Sequence, residues 1–183
     1  MPLLRVGGNF RLSMTPGDEC FQIDIGSPAK EFLGSLDSGI RRRYNQASRI
    51  LDGGNESVTV RTIDPANWDK VYGDLVGLHQ ARWNRAGFPG LFHSHASREF
   101  QERVAMALYR KGWLWYSSLY NGEHCIAARL GFAYRGRMYD YLSGFDDTSE
   151  WAKKRPGMAL LLRMYDEAHR GGMKTLDLLR GDE

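Results

Sequence analysis

The stretch AKKRPGMALLLRMYDEAHRGG (residues 152–172), followed by MKTLDLL (residues 173–179), decides how the chain is folded. The first segment reads as a helix that opens with three cations. The second reads as a strand in which Leu176 and Leu178 share one face and Asp177 points to the other. Three cations are electrostatically out of place at a helix start. That end carries partial positive charge and unpaired N–H groups, so Lys153, Lys154 and Arg155 should each disfavour it by about 0.3–1 kcal/mol. An anion would reverse the sign. Gly157 has no Cβ to keep a phosphate from the backbone, and Pro156 presets its own φ. N–H groups of Gly157, Met158 and Ala159 could then point at a diphosphate, with Lys154 and Arg155 alongside. The bland alternative is a solvated basic loop. GxxxxGK[ST] is absent, and no GxGxxG follows a strand.

Upstream, WLWYSSLY (residues 113–120), EHCIAARLGFAY (residues 123–134) and RMYDYLSG (residues 137–144) read as strands. Asn121-Gly122 and Arg135-Gly136 join them as tight hairpins, Asn-Gly being the stronger type I′ signal. The result is an antiparallel meander followed by a βαβ unit whose last two strands should be parallel. Ligands of such units sit at the carboxyl ends of the strands, near Gly144, Asp146, Asp147 and the helix start at Gly157.

The first half is mostly helical in pattern. Ser27-Pro28 starts one helix, striped with Phe32, Leu33 and Leu36 and stopped by Asp37-Ser38-Gly39. A second carries Ile40, Tyr44, Ala47 and Leu51 and ends at Gly53-Gly54, so the Arg41, Arg42 and Arg43 side chains fan around a surface element. SVTVRTI (residues 57–63) is a strand, and Asp64-Pro65 starts a third helix with Val71, Leu75 and Leu78 on one face. Gly73 and Gly77 in that helix suggest close packing against a neighbour. After the loop AGFPG (residues 86–90), Ser97 can cap a fourth helix with Phe100, Val104 and Leu108 facing inward.

A length of 183 residues suits one domain, or one domain with an arm, and needs no disulfide staples. Cys20 and Cys125 fit no CxxC pair and read as free thiols of a reducing compartment. The net charge of +3 is too small to predict nucleic-acid binding. No basic leader precedes a long apolar core, and no apolar run suffices for a membrane span, so the expected location is cytoplasmic. No metal site is expected, because HSH (residues 93–95) lacks a Cys or acidic partner at ligand spacing and reads as loop. RGD (residues 180–182) carries no weight.

From residue 57 onward the order is strand, helix, helix, three antiparallel strands, helix, strand. That succession resembles the GNAT acyltransferase superfamily, in which the helix after the fourth strand carries a pyrophosphate signature of Gln or Arg, two variable residues, Gly, one variable residue, then Gly or Ala. KRPGMA (residues 154–159) fits it at Gly157 and Ala159 and departs from it at Lys154. Longer stretches, LHQARW (residues 78–83), FLGSLDSGIRRRY (residues 32–44), YLSGFD (residues 141–146), RPGMALLL (residues 155–162) and LDLLRGDE (residues 176–183), resemble CelD/BcsL-type acetyltransferases. These are associated with bacterial cellulose and exopolysaccharide production and are related to the FemAB transferases. The resemblance runs from about residue 27 to the end. Arg155 stands where that family usually has Ser.

The resemblance implies an α/β (α+β) GNAT-like acyl-CoA N-acyltransferase fold: a helical arm over residues 1–54, then a GNAT-like domain over residues 55–183. The GNAT fold continues past its fifth strand, so the chain looks like the C-terminal half of a longer protein, truncated after that strand. The edge of the strand at residues 173–179 would then be uncovered. The implied reaction moves an acetyl or other acyl group from acyl-CoA to an amine or hydroxyl of a sugar or cell-surface precursor. By resemblance, Tyr141, Leu142, Ser143 and Gly144 would give backbone hydrogen bonds to the pantetheine arm. Lys154, Arg155, Gly157, Met158 and Ala159 would hold the diphosphate.

For proton transfer, Asp146 and Asp177 lie near strand ends, with a loop cap and a buried structural carboxylate as their respective alternatives. His79 would stand on the acceptor side or be a structural helical histidine. Tyr139 and Tyr141 read as sheet-packing aromatics. The GNAT tyrosine that protonates the leaving thiolate would lie beyond the last strand. Two alternatives stay open: a FemAB-like aminoacyl-tRNA-dependent transferase, for which the Arg41–Arg43 cluster would suit RNA, and a non-catalytic scaffold half that packs on a second GNAT-like domain.

Overall fold

The computed structural model describes residues 19–52 and 58–180. In chain order the elements are β1 (Cys20–Asp24), α1 (Ala29–Ser35), α2 (Ser38–Ser48), β2 (Val58–Arg61), α3 (Trp68–Arg85), α4 (His95–Arg110), β3 (Leu114–Asn121), β4 (His124–Tyr134), β5 (Arg137–Phe145), a 3-10 turn (Glu150–Lys154), α5 (Pro156–Arg170) and β6 (Thr175–Arg180). The strands form one six-stranded sheet in the order β1-β6-β5-β4-β3-β2. β3, β4 and β5 make the expected antiparallel meander, and β5 and β6 run parallel. Expectations placed on Ser57, on Gly53-Gly54 and on Gly181-Asp182 of the RGD tripeptide fall outside the described residues.

Neighbouring residues of the central strands point to opposite faces, as the period of two requires. Tyr116 and Tyr120 join Trp68, Leu75 and Phe92 beneath α3 and α4. On the other face Trp115 packs with Leu33, Met138 and Leu162, while Leu119 packs with Ala47, Trp151 and Leu160. The two N-terminal helices thus lie against α5. Phe32 stacks on Tyr165 with centroids 4.9 Å apart, and the Ala29 N–H donates to Asp166 at 3.1 Å.

Several local expectations need correction. The edge of β6 is covered: β1, from a segment read as helical, pairs with it antiparallel from Cys20↔Arg180 to Asp24↔Thr175. CFQID is too short and too polar to show as a strand alone, and its partner fixes it. Ser94, not Ser97, caps α4, its hydroxyl accepting from the Ser97 N–H at 3.2 Å. The helix therefore starts inside HSH at His95; Phe100 faces outward, 61% exposed, with Gln101 and Ala105 buried. The β3–β4 loop is Gly122-Glu123, with positive φ at Gly122 alone, so it is not type I′. Arg135-Gly136, the weaker signal, has positive φ at both residues as type I′ demands.

The cations are not inside the helix they were expected to open. Lys153 and Lys154 end the 3-10 turn, and α5 begins at Pro156. Pro156 prevents the residue before it from continuing a right-handed helix, and Arg155 takes φ 59°, ψ 55°. Basic residues are favourable at the C-terminal end of a helical turn, so the position of Lys153 and Lys154 has an electrostatic explanation without an anion.

Gly73 and Gly77 do not serve close packing. Both are exposed, and a Cβ at either would meet nothing within 4 Å. The close approach is at Gly144, where a Cβ would lie 2.5 Å from the His79 backbone nitrogen and 2.8 Å from Leu78 Cβ. Gly73→Ala and Gly77→Ala should each stabilise the protein by about 0.5–1 kcal/mol, and Gly144→Ala should destabilise it by about 1–3 kcal/mol. Urea denaturation of the three variants reads both signs.

Candidate active site

The sheet opens beside β5. Pairing with β4 runs to the end of the strand, at Ala127↔Phe145, whereas pairing with β6 covers only Arg137↔Thr175, Met138↔Leu176 and Tyr139↔Asp177. Beyond Tyr139 the two parallel strands part. Two irregularities flank the gap. Leu130 pairs with Leu142 but Gly131 with Asp140, so Tyr141 is an extra residue on β5, and such bulges re-aim side chains. On β6, Leu179 has φ 56°, a conformation that costs a branched residue about 1–2 kcal/mol. Asp177 sits at the parting point and is buried. Its carboxylate accepts from the Leu179 N–H at 2.8 Å and from the Gln22 amide at 2.9 Å, so both oxygens brace the β6 kink and β1.

A cleft of about 630 Å³ lies over the departing part of β5. α3 supplies His79, Arg82 and Trp83, whose i, i+3, i+4 spacing puts them on one helix face. The loop after α3 supplies the wall from Phe88 to Leu91, and β5 supplies the floor from Tyr141 to Ser143. Gln80 holds that wall: its amide donates to the Pro89 carbonyl, and its oxygen accepts from the Phe92 N–H at 3.2 Å. Tyr141 is fixed by donation to Gln101 at 2.8 Å, and its ring lies edge-on to Phe132. Tyr139 stacks on Phe132 at 4.7 Å.

His79 is buried, with its ring edge-on to Phe92 at 5.1 Å and tilted against Trp83 at 5.9 Å. Among the described residues its Nδ1 has no hydrogen-bond partner. Burial first, and the Arg82 charge second, push its pKa down from 6.5 to about 4. The imidazole is therefore neutral at pH 7 and a weaker base than a free histidine.

Of the other residues named from the sequence, Tyr141, Leu142 and Ser143 line the cleft, whereas Gly144, Asp146, Lys154, Arg155, Gly157, Met158, Ala159 and Asp177 lie outside its lining. Asp146 behaves as a loop clamp. Its Oδ1 accepts from the Thr148 N–H and hydroxyl and from the Ser149 N–H, and its Oδ2 meets His124 Nε2 at 2.9 Å. The Thr148 hydroxyl foremost holds the carboxyl well below the usual carboxylate range, which makes it a poor proton acceptor.

At the start of α5 the Met158 and Ala159 N–H groups both donate to the Arg155 carbonyl, at 3.0 and 3.2 Å, so neither is poised for a diphosphate as expected. Gly157 contributes the remaining N–H of that turn, with Arg155 exposed beside it. Packing does not require glycine there, since a Cβ would be in ordinary contact with Phe145 at 3.5 Å. Lys154 lies over the Trp151 ring at 4.3 Å.

Sequence reasoning missed one buried pair. Arg129 on β4 pairs with Asp140, the first β5 residue past the parting point, and also donates to the Gly157 carbonyl at 3.1 Å. Its signal was a lone charge inside the apolar run of CIAARLGFAY. Tyr44 of α2 lies within its field, and burial raises the phenol pKa against the pull of Arg129.

The family model described as an acetyltransferase (GNAT) domain matches residues 38–183, most of the length. The chain belongs to the GNAT acetyltransferase-domain family. Its six-stranded mixed sheet, its parting parallel strands and its helices on both faces are the GNAT-like fold expected from the element order. Among solved structures, FemX superposes with TM-score 0.68 at 13% identity, over 90% of this chain and 53% of that one. A conserved protein of unknown function from Bacteroides thetaiotaomicron VPI-5482 gives 0.56 at 10%, over 89% and 50%. The C-terminal DUF2156 domain of a candidate lysylphosphatidylglycerol synthetase from Agrobacterium fabrum gives 0.55 at 11%, over 90% and 46%. The chain thus spans about half the length of these structures. No curated protein sequence matches it significantly. Among the described residues no helix is long and apolar enough to cross a membrane.

The state of His79 is directly measurable. Its depressed pKa means that the unfolded chain binds a proton there before the folded protein does. That part of the stability is present above pH 6.5 and is lost as the pH falls to about 4. An NMR titration should place the ring pKa near 4, and His79→Phe should flatten the acid limb of the stability curve. A ring titrating near 6.5 would contradict the burial.

Proposed function

We propose that this GNAT-domain acyltransferase moves an acyl group from acyl-CoA, acetyl-CoA in the simplest case, to an amine or hydroxyl of a sugar or cell-surface precursor. The parting of β5 from β6 after Tyr139, next to a cleft lined by a neutral histidine, is the observation that carries this reading. The matched stretches extend it to the CelD/BcsL type, and so to cellulose or exopolysaccharide production in the cytoplasm. A second GNAT-like domain is the partner proposed, in keeping with a chain that spans about half of its structural relatives.

The residues suit the donor in part. The β5 edge beyond Tyr139, from Tyr141 to Gly144, has no strand beside it among the described residues and would take the pantetheine arm by backbone hydrogen bonds. The Gly157 N–H and the exposed Arg155 would face the diphosphate. When bound, the donor supplies an activated thioester carbonyl. The chain itself does the rest: Tyr141, Leu142 and Ser143 form the floor on which the acceptor lies, and the wall from Phe88 to Leu91 limits water. The His79 imidazole, neutral at pH 7, would stand beside the acceptor, whose amine or hydroxyl proton is lost to solvent as the CoA thiolate leaves and takes one up.

A second reading, a FemAB-like transferase drawing on aminoacyl-tRNA, is favoured by the commitment of the Met158 and Ala159 N–H groups to Arg155 and by the exposed Arg42 and Arg43. Calorimetry separates the two. Acetyl-CoA should bind the chain, and Arg155→Asn, which keeps a residue tolerant of positive φ but removes the charge, should weaken it severalfold. Failure to bind acetyl-CoA, together with steeply salt-dependent binding of aminoacyl-tRNA, would replace the first reading by the second.

A further inference from the structure

The cleft is aromatic, cationic and free of acid. None of its lining residues is Asp or Glu. Arg82 lies in its wall, and among the described residues no carboxylate pairs with it. Its neighbours are treated differently: Arg85, three residues on, is paired with Asp147, and Arg129 with Asp140. The Arg82 guanidinium instead lies 5.6 Å from the centroid of the Phe145 ring. A ring face orients the planar group without satisfying its N–H donors, which remain available in a fork that matches a carboxylate or phosphate.

Beside Arg82 the same wall continues as a pair of rings. Trp83 and Phe88 meet edge to face at 5.7 Å, and Phe88 is 57% exposed. Phe88 thus presents an exposed ring at the mouth of the cleft, on a loop that Gln80 braces in place. A flat ligand with C–H groups on one face would cover it. On the same helix face His79, and on the floor Ser143, supply imidazole and hydroxyl groups for a hydroxylated ring. The volume falls in the range of small-molecule sites, about 300–1,000 Å³.

We propose that this cleft selects an anionic sugar as acceptor. The sugar ring lies on Trp83 and Phe88, and its carboxylate or phosphate is held by Arg82. The proposal rests on reading the cleft as the acceptor site and adds the charge that the acceptor must carry. A neutral sugar would leave the Arg82 donors unmatched in a partly desolvated wall, whereas an anion pairs with them in a bidentate, charge-assisted contact.

The test is calorimetric titration of the full chain, with and without acetyl-CoA and at matched ionic strength, using glucuronate, glucose 6-phosphate and glucose. At least one anionic probe should bind at least tenfold more tightly than glucose, and the order of the two anions tells carboxylate from phosphate. Arg82→Gln should reduce that preference to less than threefold, Arg82→Lys should retain part of it, and Trp83→Ala should weaken all three probes. Circular dichroism and acetyl-CoA binding report whether each variant is folded. Equal affinity for the three probes, a preference that survives Arg82→Gln, or no probe bound by folded protein would overturn the proposal. Anion preference without acetyl-CoA binding would refute the acyl-CoA reading and leave this inference standing. Acetyl-CoA binding without anion preference would do the reverse.

Discussion

No side chain fits between β5 and α3 at Gly144, so the helix rests directly on the strand. That contact falls on the part of β5 that β6 has already left, where the strand is held by β4 along one edge and by α3 across its face. The position of His79, Arg82 and Trp83 follows from it, because one seated helix turn aims all three side chains over Tyr141 and Ser143. A helix lifted by a single methyl group would move the whole wall of the cleft. The bulge at Tyr141 and the loop braced by Gln80 then close the cleft around that wall.

The opposite face of the same strand is organised by charge. Arg129 and Asp140 are both largely buried, and removing two charges from water is costly unless they pair. Their pairing ties β4 to the first β5 residue past the parting point, and the Arg129 bond to the Gly157 carbonyl ties both to the start of α5. β4, the parted end of β5 and the helix start are thereby joined through one side chain. A buried pair of this kind adds little net stability over an apolar pair, so its value here lies in fixing geometry.

Much of the fold was legible because the relevant signals are local. The meander announced itself by alternation and by two-residue connectors, and the parallel pair followed from a helix lying between two strands. β1 was not legible, since CFQID gains its structure from β6 and not from its own pattern. On α4, Val104 and Leu108 turn inward as read, beside Tyr72 and Leu130, and only Phe100 was misplaced, since it faces water. At the site, LHQARW pointed to His79, and its helical spacing already placed Arg82 and Trp83 beside it. The Met158 and Ala159 N–H groups are taken by the Arg155 carbonyl because the helix starts at Pro156, a local boundary the sequence reading placed too early; what no spacing could convey is the meeting of Arg129 with Asp140, which arises from tertiary placement.

The strand that closes the sheet also sets the order in which the molecule can be assembled. Among the described residues β1 pairs only with β6, and nearly the whole described chain lies between them. The meander can zip through short hairpins, but β6 cannot dock until α5 has crossed the sheet, and β1 has no partner until β6 is in place. Closing so long a loop adds an entropic cost that grows slowly with length, yet it must be met before the pairing returns anything. Pairing at this edge is therefore the costliest of the sheet to close. Without it, the outer edge of β6 and the Asp177 side chain that braces its kink would stand open to any other strand in reach.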